Sequence, residues 1–178
     1  MRTRVLTIVM LSAAMLAAGA ACAQQPQQQQ PNPLDVVPDK MPFDIPYGMP
    51  ISLDQAQAAI AASVAESKKR GWKLNVAVVD PGGSLIAFQR MDGAQIGSIA
   101  IAEHKARAAA KYRRETKIFE NAVQNGIYYI LTLDDIIASR GGIPLVEGGK
   151  LIGAIGCSGA TGSQDEVICK AGAAVINR

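Results

Sequence analysis

Two short apolar runs joined by a Gly-Gly pair stand near the end of the chain and restrict its fold more than any other feature. They lie within residues 141–160 and are separated by Gly148-Gly149. Glycine reaches the positive φ angles that a tight type I′ hairpin requires. The second run contains Gly153 and Gly156, and glycines inside a strand indicate that backbone or a ligand approaches the sheet closely. The segment therefore predicts a β-hairpin with a closely covered surface.

Capping and turn signals divide the remaining domain into further elements. Ser52 and Gln55 form a capping box for a helix that Gly71 ends, and Ser163 and Glu166 form another for a helix over residues 164–176. Between them, residue patterns predict strands at 74–79 and 85–89 with a turn at 80–83, helices at 97–114 and 116–124, and either a strand or a buried helical turn within 127–140. This order predicts an α+β domain whose central antiparallel sheet of short hairpins is packed by helices.

The first residues have the pattern of a secretory signal. Arg2 and Arg4 precede an apolar stretch over residues 5–18, and Ala21-Cys22-Ala23 fits a cleavage site, so residues 1–23 are predicted to be a signal peptide of a periplasmic or secreted protein. Its removal lowers the formal charge from +3 to +1, which argues against nucleic acid as a partner. The alternative is a lipoprotein anchored through Cys22. We expect no transmembrane span in the mature chain.

Residues 24–46 are rich in Gln, Pro and Asn and predict a disordered tether, which leaves one domain over residues 47–178. Two cysteines remain in that domain, Cys157 on a predicted strand and Cys169 on the following helix. An exported protein can oxidise such a pair if the two Cα atoms lie within about 7 Å. Two buried thiols that pack as small hydrophobes are the interpretation that we favour from sequence.

Four ordered motifs resemble the GlcG/HbpS haem-binding family. They are Val76–Gly83, Phe88–Ala94, Lys105-Ala106 and the glycine-rich region from Gly141 to Glu166. The resemblance covers roughly residues 50 to 178. It implies a profilin-like α+β fold, haem as the ligand and assembly into a homo-oligomer.

Several residues are candidates for ligand binding. Arg90 could clamp a carboxylate, while Asp92 either holds Arg90 or supports an Asp-Gly turn. Lys105 lies in a family motif, and Arg107 could pair with haem propionates. Ser158 and Gly159 lie in a loop before a helix N-terminus, where backbone N–H groups can bind an anion. The complete candidate set is Arg90, Met91, Asp92, Lys105, Arg107, Ser158 and Gly159.

His104 is the only histidine and therefore the only imidazole available to a metal. A helical wheel places Ile99, Ala102, Ala106 and Ala109 on the core side of the helix and His104 on the opposite side. His104 is thus either a solvated side chain or an axial haem ligand. One histidine cannot ligate haem iron on both sides, so haem would need a five-coordinate site, a second ligand such as Met91, Tyr112 or a cysteine, or a partner subunit.

Other kinds of site are disfavoured. One histidine and two distant cysteines do not supply a zinc site, and Asp134-Asp135 is more typical of a turn than of a cation site. The glycine loop lacks the P-loop sequence. No Ser/His/Asp order or nucleophile elbow indicates a hydrolase.

Three functions remain in competition. The first is an exported haem- or tetrapyrrole-binding protein that stores, senses or transfers its ligand, as the family resemblance implies. The second is an enzyme that acts on haem or on a small hydroxy- or keto-acid, with Arg90 and Lys105 binding the carboxylate. The third is a non-catalytic redox-sensing or assembly module that depends on Cys157 and Cys169.

Overall fold

In the computed structural model, which describes residues 35–177, four strands form one antiparallel sheet in the order β2-β1-β4-β3. The strands are β1 (Asn75–Val79), β2 (Leu85–Arg90), β3 (Gly142–Glu147) and β4 (Lys150–Ser158). The helices are α1 (Leu53–Arg70), α2 (Ser98–Tyr112), α3 (Lys117–Gln124) and α4 (Gly162–Ala173), with a 3-10 helix at Tyr128–Thr132. The predicted α+β class with a central antiparallel sheet is confirmed. The ambiguous segment contains the 3-10 helix and no strand.

The two faces of the sheet carry different helices because side chains alternate along each strand. Val76 and Val78 face the larger core, which α1 and α4 complete. Ala77 and Val79 face α2. A third apolar cluster joins α2 to α3 and the 3-10 helix through Ala108, Phe119 and Ile130.

Small residues let α2 lie very close to the sheet. Ala102, Ala106 and Ala109 are fully buried against it, as the helical wheel predicts. A Cβ on Gly156 would collide with the backbone of α2 at Ala102 and Ala106. The close approach that the strand glycines predict is therefore made by helix backbone at this position.

Capping explains where the helices start and stop. The Ser52–Gln55 capping box is present, and Gly71 ends α1 with φ 70°. Gly148 and Gly149 turn the β3–β4 hairpin with φ values of 56° and 74°. These are the positive angles that a type I′ turn needs.

The start of α4 differs from the prediction. Its capping box is formed by Thr161 and Gln164 rather than by Ser163 and Glu166, so the helix begins two residues earlier than predicted and ends at Ala173. Both pairs satisfy the sequence pattern. The Glu166 carboxylate instead accepts from Lys170 at 2.6 Å and is therefore engaged away from the N-cap.

Part of the predicted tether packs on the domain. The compact unit is Lys40–Arg178. The Arg114 guanidinium stacks on the Phe43 ring, Arg113 Nη1 donates to the Ile45 carbonyl at 2.9 Å, and Leu151 N–H donates to the Pro46 carbonyl at 2.8 Å. The predicted signal peptide and Cys22 lie outside the described residues. None of the described helices is long and apolar enough to cross a bilayer.

Candidate ligand-binding site

A cavity of about 360 Å³ opens at the end of the sheet where α1 and β2 both finish. Its wall comes from the C-terminal turn of α1, from the linker into β1 and from the residues that follow β2. The lining residues are Val64, Lys68, Gly71, Trp72, Lys73, Gln89, Arg90, Met91 and Asp92. The volume lies within the range of small-molecule sites, about 300–1,000 Å³.

The apolar part of the cavity is continuous with the protein core. Val64 belongs to the larger core cluster, and Trp72 and Met91 pack against it as half-buried side chains. Gly71 makes this possible because its left-handed conformation turns the chain out of α1 and sends Trp72 along the cavity wall. The cavity therefore has an anchored apolar wall with an aromatic ring in it.

The charged part of the cavity has an excess of cations. Lys68, Lys73 and Arg90 line it together with a single acid, Asp92. Within the described part of the chain, none of these four side chains makes a salt bridge. Asp92 instead precedes Gly93, whose φ of 73° forms a turn. The Asp-Gly turn that the sequence offered is present, and the Arg90–Asp92 pairing is absent from the structure.

The structure brings Arg90, Met91 and Asp92 together and places His104 elsewhere. His104 lies half-buried on α2. This helix covers one face of the sheet, whereas the cavity lies beside α1, which packs on the opposite face. The neighbours of His104, Arg107 and Lys111, both form ion pairs with Asp135. The hydrogen bond from Lys111 lowers the pKa of Asp135, against the opposing effect of burial, and the charges of Arg107 and His104 lower it further. Arg107 is therefore paired within the chain.

Lys105 is buried and lies outside the cavity. Its ammonium donates to Asp165 Oδ2 at 2.7 Å and to the Cys157 carbonyl at 3.2 Å, and only 1% of its side chain is exposed. Burial raises the pKa of Asp165 even though the Lys105 charge and hydrogen bond act to lower it. Lys105 of α2 thus connects three elements inside the protein, because it hydrogen-bonds the main chain of β4 and forms an ion pair with Asp165 of α4.

The glycine loop before α4 donates a hydrogen bond to an acidic side chain of the same protein, that of Asp165. Asp165 Oδ1 accepts from the Ala160 N–H at 3.1 Å. Ser158 is 4% exposed, and a Cβ on Gly159 would collide with backbone at Lys73 and Leu74. One N–H group of the loop that the sequence offers to an external anion, that of Ala160, is therefore directed at the side chain of Asp165.

Cys157 and Cys169 form a disulfide with Cα atoms 5.6 Å apart. The preference for two separate thiols was wrong, because α4 packs back on β4 and brings Cys169 beside Cys157 in the larger core. Both residues are fully buried. The bond removes both sulfurs from the set of available metal ligands.

Sequence reasoning missed six of the nine lining residues, and Lys68, Trp72 and Lys73 are the three of them with charged or aromatic side chains. The one usable signal was the only tryptophan of the chain, which directly follows the helix-ending Gly71. A second cavity of about 370 Å³, near the start of α1, carries the acids Asp54 and Glu147 and no cation. Among residues 35–177, no group of three or more His, Cys, Asp or Glu side chains could hold a metal ion.

Comparison with known proteins gives this geometry a family context. A sequence profile described as haem degrading protein HbpS-like matches residues 51–174. The chain belongs to the HbpS-like family. The resemblance carried by the four sequence motifs is thereby confirmed.

Relatives of this HbpS-like protein include the protein GlcG of Escherichia coli K12, which is 44% identical over 108 residues that cover 61% of this chain and 81% of GlcG. Among solved structures, HbpS matches with a TM-score of 0.68 and 29% identity and covers 76% of this chain and 96% of HbpS. A complex named PduOC:Heme matches with a TM-score of 0.66 and 27% identity, covering 72% and 96% of the two chains. The Klebsiella pneumoniae protein ORFY matches at 0.69 and 28%, covering 79% and 97%.

Proposed function

We propose that this HbpS-like protein binds haem or a related tetrapyrrole in the cavity at the end of α1 and that it is exported to store, sense or transfer this ligand. The observation that carries the proposal is an apolar wall of Val64, Trp72 and Met91 beside three cations that have no acid partner within the described residues. A structural relative is named as a haem complex, which supports the same ligand class.

The chemistry of the wall fits the two parts of a tetrapyrrole. A porphyrin ring is flat and apolar, so a half-buried tryptophan can stack on it and a thioether can contact its edge. The propionates are anionic, and Lys68, Lys73 and Arg90 would meet them as charge-assisted hydrogen-bond donors. When bound, haem supplies an iron centre for electron transfer or for chemistry with oxygen.

Export is part of the proposal and is supported by the Cys157–Cys169 disulfide, because such bonds form and persist in oxidising compartments. A protein delivered to the periplasm or secreted would begin after Ala23. Mass spectrometry of the N-terminus from each cell fraction tests this. A chain that keeps residues 1–23 in the cytoplasm would contradict it. A lipid on Cys22 would instead support the anchored alternative.

Assembly into a homo-oligomer is proposed from the same family context. Sedimentation of the purified protein at micromolar concentration tests it. Monomer alone, with and without hemin, would overturn it.

A second candidate ligand is a small hydroxy- or keto-acid. The three cations that favour haem propionates would also attract a single carboxylate. Lactate or pyruvate that competes with hemin for the cavity would favour this ligand class. Catalysis of its conversion would be a separate finding.

A hemin titration tests the proposal, because Trp72 is the only tryptophan and lies in the cavity wall. Hemin should quench its fluorescence and saturate near one equivalent per chain, as expected for one site. Lys68→Glu with Lys73→Glu should weaken binding by about tenfold, since two cations become anions.

The control is Lys150→Glu, which makes the same charge change as each of the two cavity substitutions and lies at the exposed start of β4, at the end of that strand away from the cavity. This variant and His104→Gln should bind hemin like the unmodified protein. Loss of binding in His104→Gln, with the cavity variants unaffected, would move the site to the other face of the sheet.

A further inference from the structure

Among residues 35–177, the histidine, cysteine and tyrosine side chains that could ligate iron lie away from the proposed tetrapyrrole cavity. Haem iron in proteins is held by His, Cys thiolate, Met or Tyr. His104, the only histidine, is on α2 behind the sheet. Cys157 and Cys169 are joined in a buried disulfide, and Cys22 falls outside the described residues.

The tyrosines are also placed elsewhere. The Tyr47 hydroxyl donates to the Lys111 carbonyl at 2.8 Å, and the Tyr112 hydroxyl donates to the Asp134 carbonyl at 2.7 Å. Tyr128 and Tyr129 lie on the 3-10 helix. None of the four lines the cavity.

Met91 is the one residue of the wall with a side chain from that ligand set. Its neutral thioether is a soft ligand that suits ferrous better than ferric iron. Its side chain also packs against the core, so part of it is engaged in apolar contact. The remaining recognition comes from the Trp72 ring and from the cations Lys68, Lys73 and Arg90. These groups contact a porphyrin through its plane and its propionates, which are the same with or without a metal.

Resting on the proposed function, we infer that this site recognises the dicarboxylate porphyrin itself and not the iron. Metal-free protoporphyrin IX and ferric hemin are then ligands of similar affinity. This assigns a ligand class, anionic tetrapyrroles in general, to the cavity of a protein whose family description names haem. It also assigns the selectivity for anionic tetrapyrroles to Lys68 and Lys73, which would interact with the propionate carboxylates, and not to a side chain that ligates the metal.

The experiment titrates the purified protein with hemin and, separately, with protoporphyrin IX. Quenching of Trp72 reports both ligands, and the emission of protoporphyrin gives a second signal for its own binding. The two dissociation constants should agree within about threefold, a difference of less than 1 kcal/mol. Met91→Leu, which keeps the apolar volume and removes the sulfur, should change both constants by the same factor and leave their ratio unaltered. Lys68→Glu with Lys73→Glu should weaken both in parallel by about tenfold.

The outcomes separate this inference from the proposed function. If hemin saturates while protoporphyrin binds at least about tenfold more weakly, or if Met91→Leu weakens hemin selectively by that factor, the inference is overturned and the cavity proposal survives. If neither ligand quenches Trp72, the cavity proposal itself fails. Circular dichroism of each variant separates loss of binding from loss of the fold.

Discussion

Lys105 and Asp165 form a salt bridge of 2.7 Å inside the protein, with only 1% and 2% of their side chains exposed. The pair links α2 on one face of the sheet to α4 on the other. The Asp165 carboxylate also accepts from the Ala160 N–H, so one carboxylate orders the loop between β4 and α4. A lysine in a family motif therefore acts as an internal support of the architecture.

Replacing Lys105 by Met should strongly destabilise the protein, because it leaves the Asp165 carboxylate buried without its cation. Removing one partner of a buried pair costs about 3–5 kcal/mol. Urea denaturation measures this loss. Lys69→Met removes an exposed partner of Glu66, with 78% of the Lys69 side chain accessible, and should change stability by less than about 0.5 kcal/mol. Equal effects of the two substitutions would argue against the buried pair.

Adding a methyl group at Gly156 should destabilise the domain, since the new Cβ would collide with the α2 backbone at Ala102 and Ala106. Overpacking of this kind costs about 1–3 kcal/mol or more. The matched change is Gly97→Ala, where no atom lies within 4 Å of the added Cβ and φ is −60°. Thermal unfolding should show a lower midpoint for Gly156→Ala alone. A normal midpoint would mean that α2 lies farther from the sheet.

Loss of the disulfide should lower the free energy of unfolding by about 2–5 kcal/mol, since it cross-links residues 12 apart in sequence. The double variant Cys157→Ala with Cys169→Ala tests this by urea denaturation. Alkylation of the unreduced, urea-unfolded protein should leave both cysteines unmodified. Alkylation of both would contradict the bond and restore the two-thiol interpretation.

The ion pairs of Asp135 should give stability that disappears in acid. The Lys111 hydrogen bond holds the pKa of Asp135 below its ordinary value of 3.8. A carboxyl whose pKa is lower in the folded state stabilises the fold fully above the unfolded value, and this stability is lost as pH falls through the folded value.

Asp135→Asn is the matched test, because asparagine tolerates the left-handed φ of 60° at this position. Urea unfolding should show the wild-type advantage at about pH 6, and the advantage should shrink toward about pH 3. An advantage that is constant with pH would show that the charge of Asp135 does not matter.

The fold could be predicted because its signals are local. Gly148-Gly149 permits one kind of tight turn, and Ser52 with Gln55 marks one helix start. Errors arose where two local patterns overlapped, as in the competition between Thr161 and Ser163 for the N-cap of α4.

The site could be predicted only in part because its residues meet through tertiary packing. Arg90, Met91 and Asp92 are contiguous, so one motif identified them together. Lys68 and Lys73 belong to a helix end and a linker, and only the packing of α1 on the sheet brings them to Arg90. No spacing along the sequence indicates that Lys68, Lys73 and Arg90 lie close together. The burial of Lys105 was equally hidden, because its partner Asp165 lies 60 residues away.

The position of iron in crystals of the hemin complex tests the central claim most directly. We expect an iron anomalous peak within the cavity walled by Trp72 and Met91, with the propionates toward Lys68, Lys73 or Arg90. An iron peak bonded to His104 on the opposite side of the sheet would contradict it.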